Sequence, residues 1–456
     1  MTAIYRRQPQ TVSLSKDLQI RLNAIVLDEQ LNVSFHGAPI RTRTKLMQRQ
    51  IVFQRSAGLI GIQFALRILL AASNVAFALS VFAADAPPPG VEVPFLSTLN
   101  LVLVPVSING AKPLEFIFDT GQEATIVDAQ VAGRLGLKIL NAQATAVPGG
   151  SVMVGSIADS TLAVSGAKAE HLTIQAAPIG FVSSVIGRRI SGILGHDFIH
   201  RFSVKVDYTR DKITFWSPSA FHYVGHGIEV PVTFEADQTF LPIDVKPHNH
   251  AVVTGKFKLD TGSVDTLGMN NNFVRDEHLL GAAEPRIEMP GIAFGGDTKG
   301  YLIRLESVRI AGITFHSTLA GYTVDSKGFE NRNDAGTVGS AILSRFTLFL
   351  DYARNRIIFE PNEAPQTEIP FDRQGVLLRA EDVDLSDVFV YAVIADSSAQ
   401  RAGVRAGDHI VAVNGVEGLS LGQIWQRFQS SDPLTLKIRR IHKEHTFNIH
   451  SAPLLP

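Results

Sequence analysis

The feature that most constrains the fold of this chain is an internal duplication between residues 91 and 361. Each half has an apolar strand pattern that ends in Asp-Thr-Gly, first at residues 119–121 and again at residues 260–262. Each motif is followed about 75 residues later by a short apolar segment that ends at Gly195 or Gly339. Because these landmarks keep their order and spacing over more than a hundred residues, the sequence predicts one lobe that is built twice.

The segments between the landmarks have the pattern of short β-strands. Residues 99–108 and 114–118 are strand-like, and the Asn109-Gly110 pair between them is a strong hairpin signal. Helical patterns are short, and one of them spans residues 128–137. We therefore predict a mainly β protein, and a hydrophobic content of 45% supplies enough apolar material for several buried cores.

A single Asp-Thr-Gly would indicate only a turn, because all three residues are common in turns. Two copies in matched surroundings favour a function instead. If the lobes pack around a pseudo-twofold axis, Asp119 and Asp260 meet, and two carboxylates about 3 Å apart share one proton. Such a pair supplies a base for water and an acid for a carbonyl oxygen, which suits hydrolysis of a peptide bond. We expect Thr120 and Thr261 to hold their loops by inward hydrogen bonds.

Composition excludes several other chemistries. The chain has no cysteine, which rules out disulfides, thiolate catalysis and Cys-ligated metal centres. The formal net charge of −1 gives no general electrostatic reason to bind nucleic acid, and no Walker loop is present. Three histidine pairs have suggestive spacings but no third ligand, so we expect surface or structural histidines, no metal and no cofactor. The pairs are His196 and His200, His222 and His226, and His248 and His250.

On these motifs, residues 91–361 resemble the aspartic proteases, specifically the retropepsin-like group found in bacteria. The resemblance rests on both Asp-Thr-Gly turns and on residues 193–195, which match the hydrophobic-hydrophobic-glycine element of the family. It implies two duplicated acid-protease β-barrel lobes that form a pepsin-like bilobal unit, with catalytic Asp119 and Asp260 in the cleft. It also implies that the catalytic loops are supported by Thr120, Gly121, Thr261, Gly262, Ser263, Ile193, Leu194, Gly195, Val338 and Gly339.

The sequence departs from the family pattern near both turns. Gln122 follows the first motif, where the family usually carries Ser, Thr or Ala, and the second glycine element at residues 337–339 matches only in half. Candidate flap hairpins contain residues 148–150 and 295–296, and no tyrosine of the pepsin type occurs between residues 124 and 192. These departures leave substrate preference and pH optimum open.

Residues 399–415 resemble the signature of a PDZ domain, with a short helix, two glycine turns, an apolar strand and an Asn-Gly turn. The resemblance implies a groove-lining helix at residues 421–428 and binding of an extended peptide, often a free C-terminus, at a sheet edge. The alternative is a docking or lid domain with no ligand of its own. The candidates for peptide binding are Gly375, Val376, Leu377 and Leu378.

The pattern of charged and apolar residues in the N-terminal region predicts that the protein is exported. Most charged residues in segment 1–56 are basic, and segment 57–86 contains an apolar run that has the length of a signal-peptide core and is shorter than a membrane span. We expect a cleaved signal peptide or, alternatively, an uncleaved anchor. A conventional signal peptide would begin at Met47, so residues 1–46 would be an upstream extension of the reading frame or a short cytoplasmic tail. The protein would then act in the periplasm or at the outer face of the inner membrane.

Together these patterns predict lobes at residues 91–222 and 223–361 and a PDZ domain at residues 366–456. The favoured function is an aspartic endopeptidase whose PDZ domain recruits substrates or regulates cleavage, with peptide or protein substrates as partners. The first alternative is a catalytically inactive peptide-binding protein, which Gln122 favours. The second is a homodimer that uses one lobe per chain.

Overall fold

The structure is a computed structural model, and it describes residues 90–147, 149–248, 250–281, 284–293, 296–324, 333–362, 374–381, 384–430 and 433–455. The predicted N-terminal segments 1–56 and 57–86 lie outside these residues. Within the described ranges, no helix is both long and apolar enough to span a membrane.

The first half of the duplicated region contains eleven strands within the described residues, and eight of them form a curled β-sheet. Its strands are β1 (Val91–Pro94), β2 (Leu96–Thr98), β3 (Leu101–Ile108), β4 (Leu114–Phe118), β5 (Ile126–Asp128), β6 (Leu140–Val147), β7 (Gly150–Val164), β8 (Ala167–Ala177), β9 (Gly192–Leu194), β10 (Ser203–Asp207) and β11 (Lys212–Trp216). Its helices are α1 (Ala129–Arg134), α2 (Gly180–Ile186) and α3 (His196–Ile199). Eight strands follow the order β2-β3-β4-β9-β5-β8-β7-β6, and a further pairing of β3 with β7 closes the sheet on itself.

Local sequence explains the boundaries of these elements. Strand β4 has the predicted bounds, and β3 begins two residues later than predicted because the chain turns at Leu99 and Asn100, both with positive φ. Helix α1 begins after Asp128, whose carboxylate accepts hydrogen bonds from the N–H groups of Gln130 and Val131.

The second half repeats this arrangement. Its strands are β12 (Ile228–Pro231), β13 (Thr233–Glu235), β14 (Gln238–Lys246), β15 (Val253–Leu259), β16 (Leu267–Asn270), β17 (Arg286–Ala293), β18 (Gly296–Arg304), β19 (Ser307–Ile310), β20 (Ile313–His316), β21 (Leu319–Thr323), β22 (Gly336–Val338), β23 (Phe346–Asp351) and β24 (Arg356–Pro361). Its helices are α4 (Asn271–Asp276), α5 (Ser340–Leu343) and a 3-10 turn at Tyr352–Arg354. The sheet order is β17-β18-β21-β16-β22-β15-β14-β19-β20, with β13 beside β14. In both halves the Asp-Thr-Gly strand pairs in parallel with the glycine element, β4 with β9 and β15 with β22.

Three strands from each half build one shared sheet, in the order β1-β11-β10-β23-β24-β12. Its two outer strand pairs carry equivalent ion pairs, Glu92 with Lys212 at 2.5 Å and Glu229 with Arg356 at 2.7 Å. A single hydrophobic core cluster contains residues of both halves. The two halves therefore form one bilobal unit with pseudo-twofold symmetry, which confirms the predicted fold class.

The C-terminal region forms a separate sheet with its own hydrophobic core. Its strands are β25 (Val376–Glu381), β26 (Asp387–Val393), β27 (His409–Val413), β28 (Val416–Glu417), β29 (Leu434–Arg440) and β30 (Lys443–Ile449). Its helices are α6 (Ser398–Ala402) and α7 (Leu421–Ser430). The sheet order is β25-β26-β27-β29-β30, with β28 beside β27. Leu421, Ile424 and Phe428 are spaced by three or four residues on α7, so they share the face that is buried in this core.

Candidate active site

The two Asp-Thr-Gly turns follow β4 and β15 and face each other across the lobes. A Cβ atom added to Gly121 would lie 2.5 Å from the Cγ of Asp260, and one added to Gly262 would overlap the carboxyl group of Asp119. Each aspartate therefore packs on the glycine of the opposite turn. Only a residue without a side chain leaves room for this close approach.

Thr120 and Thr261 link the turns through buried hydrogen bonds. The N–H group of each threonine donates to the hydroxyl of the other at 3.1 Å. The Thr120 hydroxyl donates to the carbonyl of Leu259 at 3.0 Å, and the Thr261 hydroxyl donates to the carbonyl of Phe118 at 2.7 Å. All four bonds cross between the lobes, so they determine how the two aspartates are placed relative to each other.

The glycine element of the first lobe lies directly behind its Asp-Thr-Gly turn. The N–H group of Asp119 donates to the carbonyl of Leu194 at 3.0 Å. The N–H group of Gly195 donates to the Thr125 hydroxyl at 3.0 Å, and that hydroxyl donates to Asp197 at 2.6 Å. This network anchors the loop that follows Asp119.

The second glycine element takes the equivalent place although it matches the family only in half. The N–H group of Asp260 donates to the carbonyl of Val338 at 3.1 Å. A Cβ atom added to Gly339 would overlap the carbonyl of Asp265, so this glycine is also required by close packing. The bond to Val338 uses backbone atoms, so it does not depend on the side chain that residue 337 carries.

The surroundings of Asp119 favour its protonated form. Burial and the negative charge of Asp260 raise the pKa of Asp119 well above its ordinary value. The charge of Lys258 and a hydrogen bond from the N–H group of Gly121 to Oδ1 of Asp119, at 2.8 Å, lower the pKa by less. A pair of this kind holds one proton between two carboxyl groups and can act as acid and base together.

Comparison with known proteins assigns two parts of the chain to families. Residues 104–198, which contain the first Asp-Thr-Gly turn, match the family model described as aspartyl protease. Residues 389–440 match the family model described as PDZ domain. The chain thus contains a retropepsin-like aspartyl protease segment and a PDZ domain.

No curated protein matches the chain. Among solved structures, the HtrA3 PDZ domain, crystallised with the phage-derived ligand FGRWV, is 28% identical to this chain. That match covers 17% of this chain and 82% of the other, with a TM-score of 0.17. We call the bilobal unit at residues 91–361 the protease unit. Its second Asp-Thr-Gly turn lies outside the residues that match the aspartyl protease model, and the tertiary structure places this turn beside the first.

Gln122, the departure after the first motif, leaves the turn of the protease unit intact. Its side-chain amide donates to the carbonyl of Ala124 at 3.1 Å, so the side chain folds back on its own loop. Its carbonyl accepts a hydrogen bond from the N–H group of His196 at 2.8 Å, as the carbonyl of Ser263 does from Ser340 at 2.7 Å. Gln122 and Ser263 therefore have the same backbone role.

The tips of two hairpins, β6–β7 and β17–β18, meet between the lobes of the protease unit. A Cβ atom added to Gly149 would lie 2.6 Å from the carbonyl oxygen of Gly296. These glycines have φ values of +85° and +133°, which side chains disfavour. Pro148 and Gly295, the other candidate flap residues at the tips, lie outside the described residues. Each lobe thus contributes one flap candidate, and the two are in contact.

The structure adds a residue that sequence reasoning did not select. The Nζ atom of Lys258 lies 3.3 Å from Oδ2 of Asp260 and 3.4 Å from the carbonyl oxygen of Gly121. A signal was present in the sequence, because the first lobe has the apolar Ile117 at the equivalent position.

The histidine pairs form no cluster of metal-ligand type in the part of the chain that the structure describes. His196 and His200 stack with ring centroids 5.0 Å apart, and Nδ1 of His200 lies 2.6 Å from the carbonyl oxygen of His196. Burial and then the charge of His200 lower the pKa of His196 to about 4. His196 is therefore neutral near pH 7 and packs as an aromatic ring.

In the PDZ domain, the candidate peptide-binding residues lie at and just before the start of β25. The side chains of Val376 and Leu378 are buried in the PDZ core, so contacts of these two residues with a peptide would use the backbone. The carbonyl of Gly375 accepts a hydrogen bond from the N–H group of Ile394 at 2.9 Å. Leu377 is half-buried.

Helix α2 of the protease unit lies against this part of the PDZ domain. In the described sheet β25 is a terminal strand, paired with β26. The Ser184 hydroxyl on α2 donates to the carbonyl of Ala380 on β25 at 2.6 Å. A Cβ atom added to Gly187 would lie 2.5 Å from the Cβ of Leu421, the first residue of α7. Residues 180–187 therefore contact both elements that frame the expected peptide groove.

Proposed function

We propose that this protein is an aspartic endopeptidase in which Asp119 and Asp260 of one chain activate water. The observation that carries the proposal is the packing of each aspartate on the glycine of the opposite turn. The hydrogen bonds of Thr120 and Thr261 across the lobes support the proposal because they hold the two Asp-Thr-Gly turns, and with them the two carboxyl groups, next to each other. The aspartyl protease match at residues 104–198 supports the same assignment for the first turn.

In the proposed reaction, a water molecule lies between the two carboxyl groups. The water oxygen attacks the carbonyl carbon while the ionised carboxylate accepts a proton from the water. At the same time the protonated carboxyl group donates its proton to the carbonyl oxygen. The resulting diol then collapses. The carboxyl that took the proton from water donates to the amide nitrogen, the C–N bond breaks, and the other carboxylate recovers its proton from a hydroxyl group. The pair ends with the single proton with which it began.

The shared six-stranded sheet supports an intramolecular pair. Three strands of the first lobe lie beside three strands of the second in this sheet, and β10 of the first lobe pairs with β23 of the second. A homodimer that used one lobe per chain would need to separate these strands. We therefore propose lobes at residues 91–222 and 223–361 that act within one molecule.

The full-length protein, incubated with a peptide library between pH 3 and 8, tests this function by mass spectrometry of the products. Asp119→Asn and Asp260→Asn should each lower cleavage by at least about 10³-fold, because each removes half of the acid–base pair. Asp211→Asn, in an exposed turn of the same lobe as Asp119, is the matched control and should cleave normally. Cleavage that survives either active-site substitution would contradict the mechanism.

The alternative of a catalytically inactive peptide-binding protein makes the opposite prediction in the same assay. Wild-type protein would then retain library peptides without forming products. Its sequence argument was Gln122, whose side chain folds back on its own loop while its backbone keeps the role of Ser263. This geometry favours the enzyme.

For the PDZ domain, we propose that peptide binding regulates the protease unit. A peptide that adds to the edge of β25 needs the space next to α2, where Ser184 now bonds to Ala380. Behind α2, Ile186 and Ile190 share a buried cluster with Ile117 of β4 and Ile193 of β9. Displacement of α2 would therefore change the packing of β4 and β9, the strands next to Asp119.

Ser184→Ala tests this regulation through the affinity for peptides with a free C-terminus. Loss of a hydrogen bond worth about 1 kcal/mol should let such peptides bind about fivefold more tightly, because α2 competes less well. Ser219→Ala, on the surface of the same lobe, should leave the affinity unchanged. Equal affinities for wild type and Ser184→Ala would contradict competition.

We also propose that the protein is exported, to the periplasm or to the outer face of the inner membrane. The basic segment 1–56 and the apolar segment 57–86 support this location. Mass spectrometry of the mature protein should find a start near Asp85 or Ala86. An intact N-terminus in the membrane fraction would indicate an anchor, whereas one in the soluble cytoplasm would contradict export.

A further inference from the structure

Strands β4 and β15 enter the two catalytic turns with one difference. Ile117 and Lys258 each lie two residues before an aspartate, Asp119 or Asp260. Ile117 is only 3% exposed and packs beside Ile193 in an apolar cluster. Lys258 therefore places an ammonium group at a position where the first lobe has a hydrocarbon side chain.

The ammonium group of Lys258 contacts both turns. It lies 3.3 Å from Oδ2 of Asp260 in its own lobe and 3.4 Å from the carbonyl oxygen of Gly121 in the other lobe. The side-chain amide of the buried Gln238 donates to the same Gly121 carbonyl at 3.2 Å. The Lys258 side chain is 15% exposed, so water screens its charge less than on the surface.

We infer that Lys258 is a positioning residue that holds the negative charge of the pair on Asp260, so that the proton resides on Asp119. The inference rests on the proposed function, because it assigns roles within that aspartate pair. A cation beside one carboxyl group stabilises the ionised form of that group most strongly. The high pKa of Asp119, which follows from its burial and from the charge of Asp260, agrees with this distribution.

A further carboxyl group of the described part of the chain interacts with the pair. Asp265 lies after the second turn, and burial and then the repulsion between its charge and that of Asp260 raise its pKa. The Ser263 hydroxyl donates to Asp265 at 3.4 Å and engages that carboxylate. Because Lys258 contacts Asp260 directly, we expect its attraction to exceed this repulsion.

The charge distribution assigns the chemical roles. Asp260 accepts the proton of the attacking water, and Asp119 donates to the carbonyl oxygen of the scissile bond. The cation also favours loss of the first proton from the pair, so it extends the range of the singly protonated form towards lower pH.

Two readouts on the full-length protein test Lys258. The first is the pH profile of kcat/KM for a cleaved library peptide. The second is the titration of the aspartate carboxyl carbons by NMR in ¹³C-labelled protein, with signals assigned through Asp119→Asn and Asp260→Asn. Lys258→Ile, which copies the first lobe, should shift the acidic limb and the first titration step upward by about one pH unit.

Two control variants separate charge from packing. Lys258→Arg keeps the charge and should retain both midpoints. Lys256→Met removes a lysine from the same face of β15, where it pairs with Glu235 at 2.6 Å, and should also retain them. If Lys258→Ile does not fold, Lys258→Met, which preserves side-chain length, takes its place.

An unchanged first titration step in the folded Lys258→Ile or Lys258→Met protein would overturn the inference, as would an equal shift in Lys256→Met. If the wild-type protein cleaves nothing, the proposed function fails, but the NMR titration still decides whether Lys258 sets the charge of the pair.

Discussion

The two lobes of the protease unit hold their aspartates by the same backbone bonds but differ in the side chains around them. The first lobe has Ile117 before its aspartate and His196 after its glycine element, whereas the second has Lys258 and Ser340 at these positions. The residues on the pseudo-twofold axis contact their own counterparts, so a change there disturbs both lobes. Positions that do not contact their counterparts, such as Ile117 and Lys258, can differ between the lobes.

The crossed threonines should show the largest stability effect in this comparison. Thr120→Val and Thr261→Val each remove the hydroxyl that bonds to a buried N–H group and to a buried carbonyl, so each should lower the free energy of unfolding by about 2 kcal/mol. Denaturant unfolding measures this loss, and Thr254→Val, whose hydroxyl is exposed, should change it little. A loss of stability in only one of the two variants would contradict the expectation that the two threonines contribute equally.

The two lobes should differ in how they contribute to the loss of stability at acidic pH. His196 has a folded-state pKa of about 4, below its ordinary value of 6.5, because burial disfavours its charged form. Its neutral form therefore supports the fold above pH 6.5, and this contribution is lost as the pH falls from 6.5 through 4. We expect an acid loss of about 2 kcal/mol in the free energy of unfolding, which Ser340, a group that does not titrate, cannot produce in the second lobe.

His196→Gln should reduce that acid loss when unfolding is compared at pH 7 and pH 4.5. His222→Gln, at an exposed position, should retain it. If the pH dependence of wild type and His196→Gln is the same, buried His196 does not distinguish the lobes.

The outer ion pairs of the shared sheet should show the smallest effect. Glu92→Gln and Glu229→Gln break equivalent contacts with Lys212 and Arg356, and both glutamates are 52% exposed. Each substitution should cost less than about 1 kcal/mol in thermal or denaturant unfolding. Arg356 also bonds to buried Asp351 at 2.8 Å, so a markedly larger loss in Glu229→Gln would show that the second pair supports that buried group.

Much of the fold was predictable because its signals are local. The hairpin pair at Asn109-Gly110 and the cap at Asp128 lie within a few residues of the elements they start or end. The facing of Asp119 and Asp260 was predictable for another reason, since duplication implies symmetry and symmetry brings equivalent turns together.

Contacts between distant residues were not predictable in this way. The bond from Ser184 to Ala380 joins positions 196 residues apart, and no periodicity or motif relates them. The sequence shows Lys258 only as a charged residue in a strand. Its contact with Gly121 of the other lobe, 137 residues away, depends on how the two lobes pack.

By itself, the sequence determined the mainly β character, the repeated lobe, the two Asp-Thr-Gly turns and the PDZ domain, because each depends on residue patterns within short segments. Only the tertiary structure decided that the threonine hydroxyls cross between lobes, that Lys258 contacts one aspartate of the pair and that α2 occupies the edge of β25. These features depend on side-chain direction and on the packing of separate segments, which are decided when the whole chain buries its core.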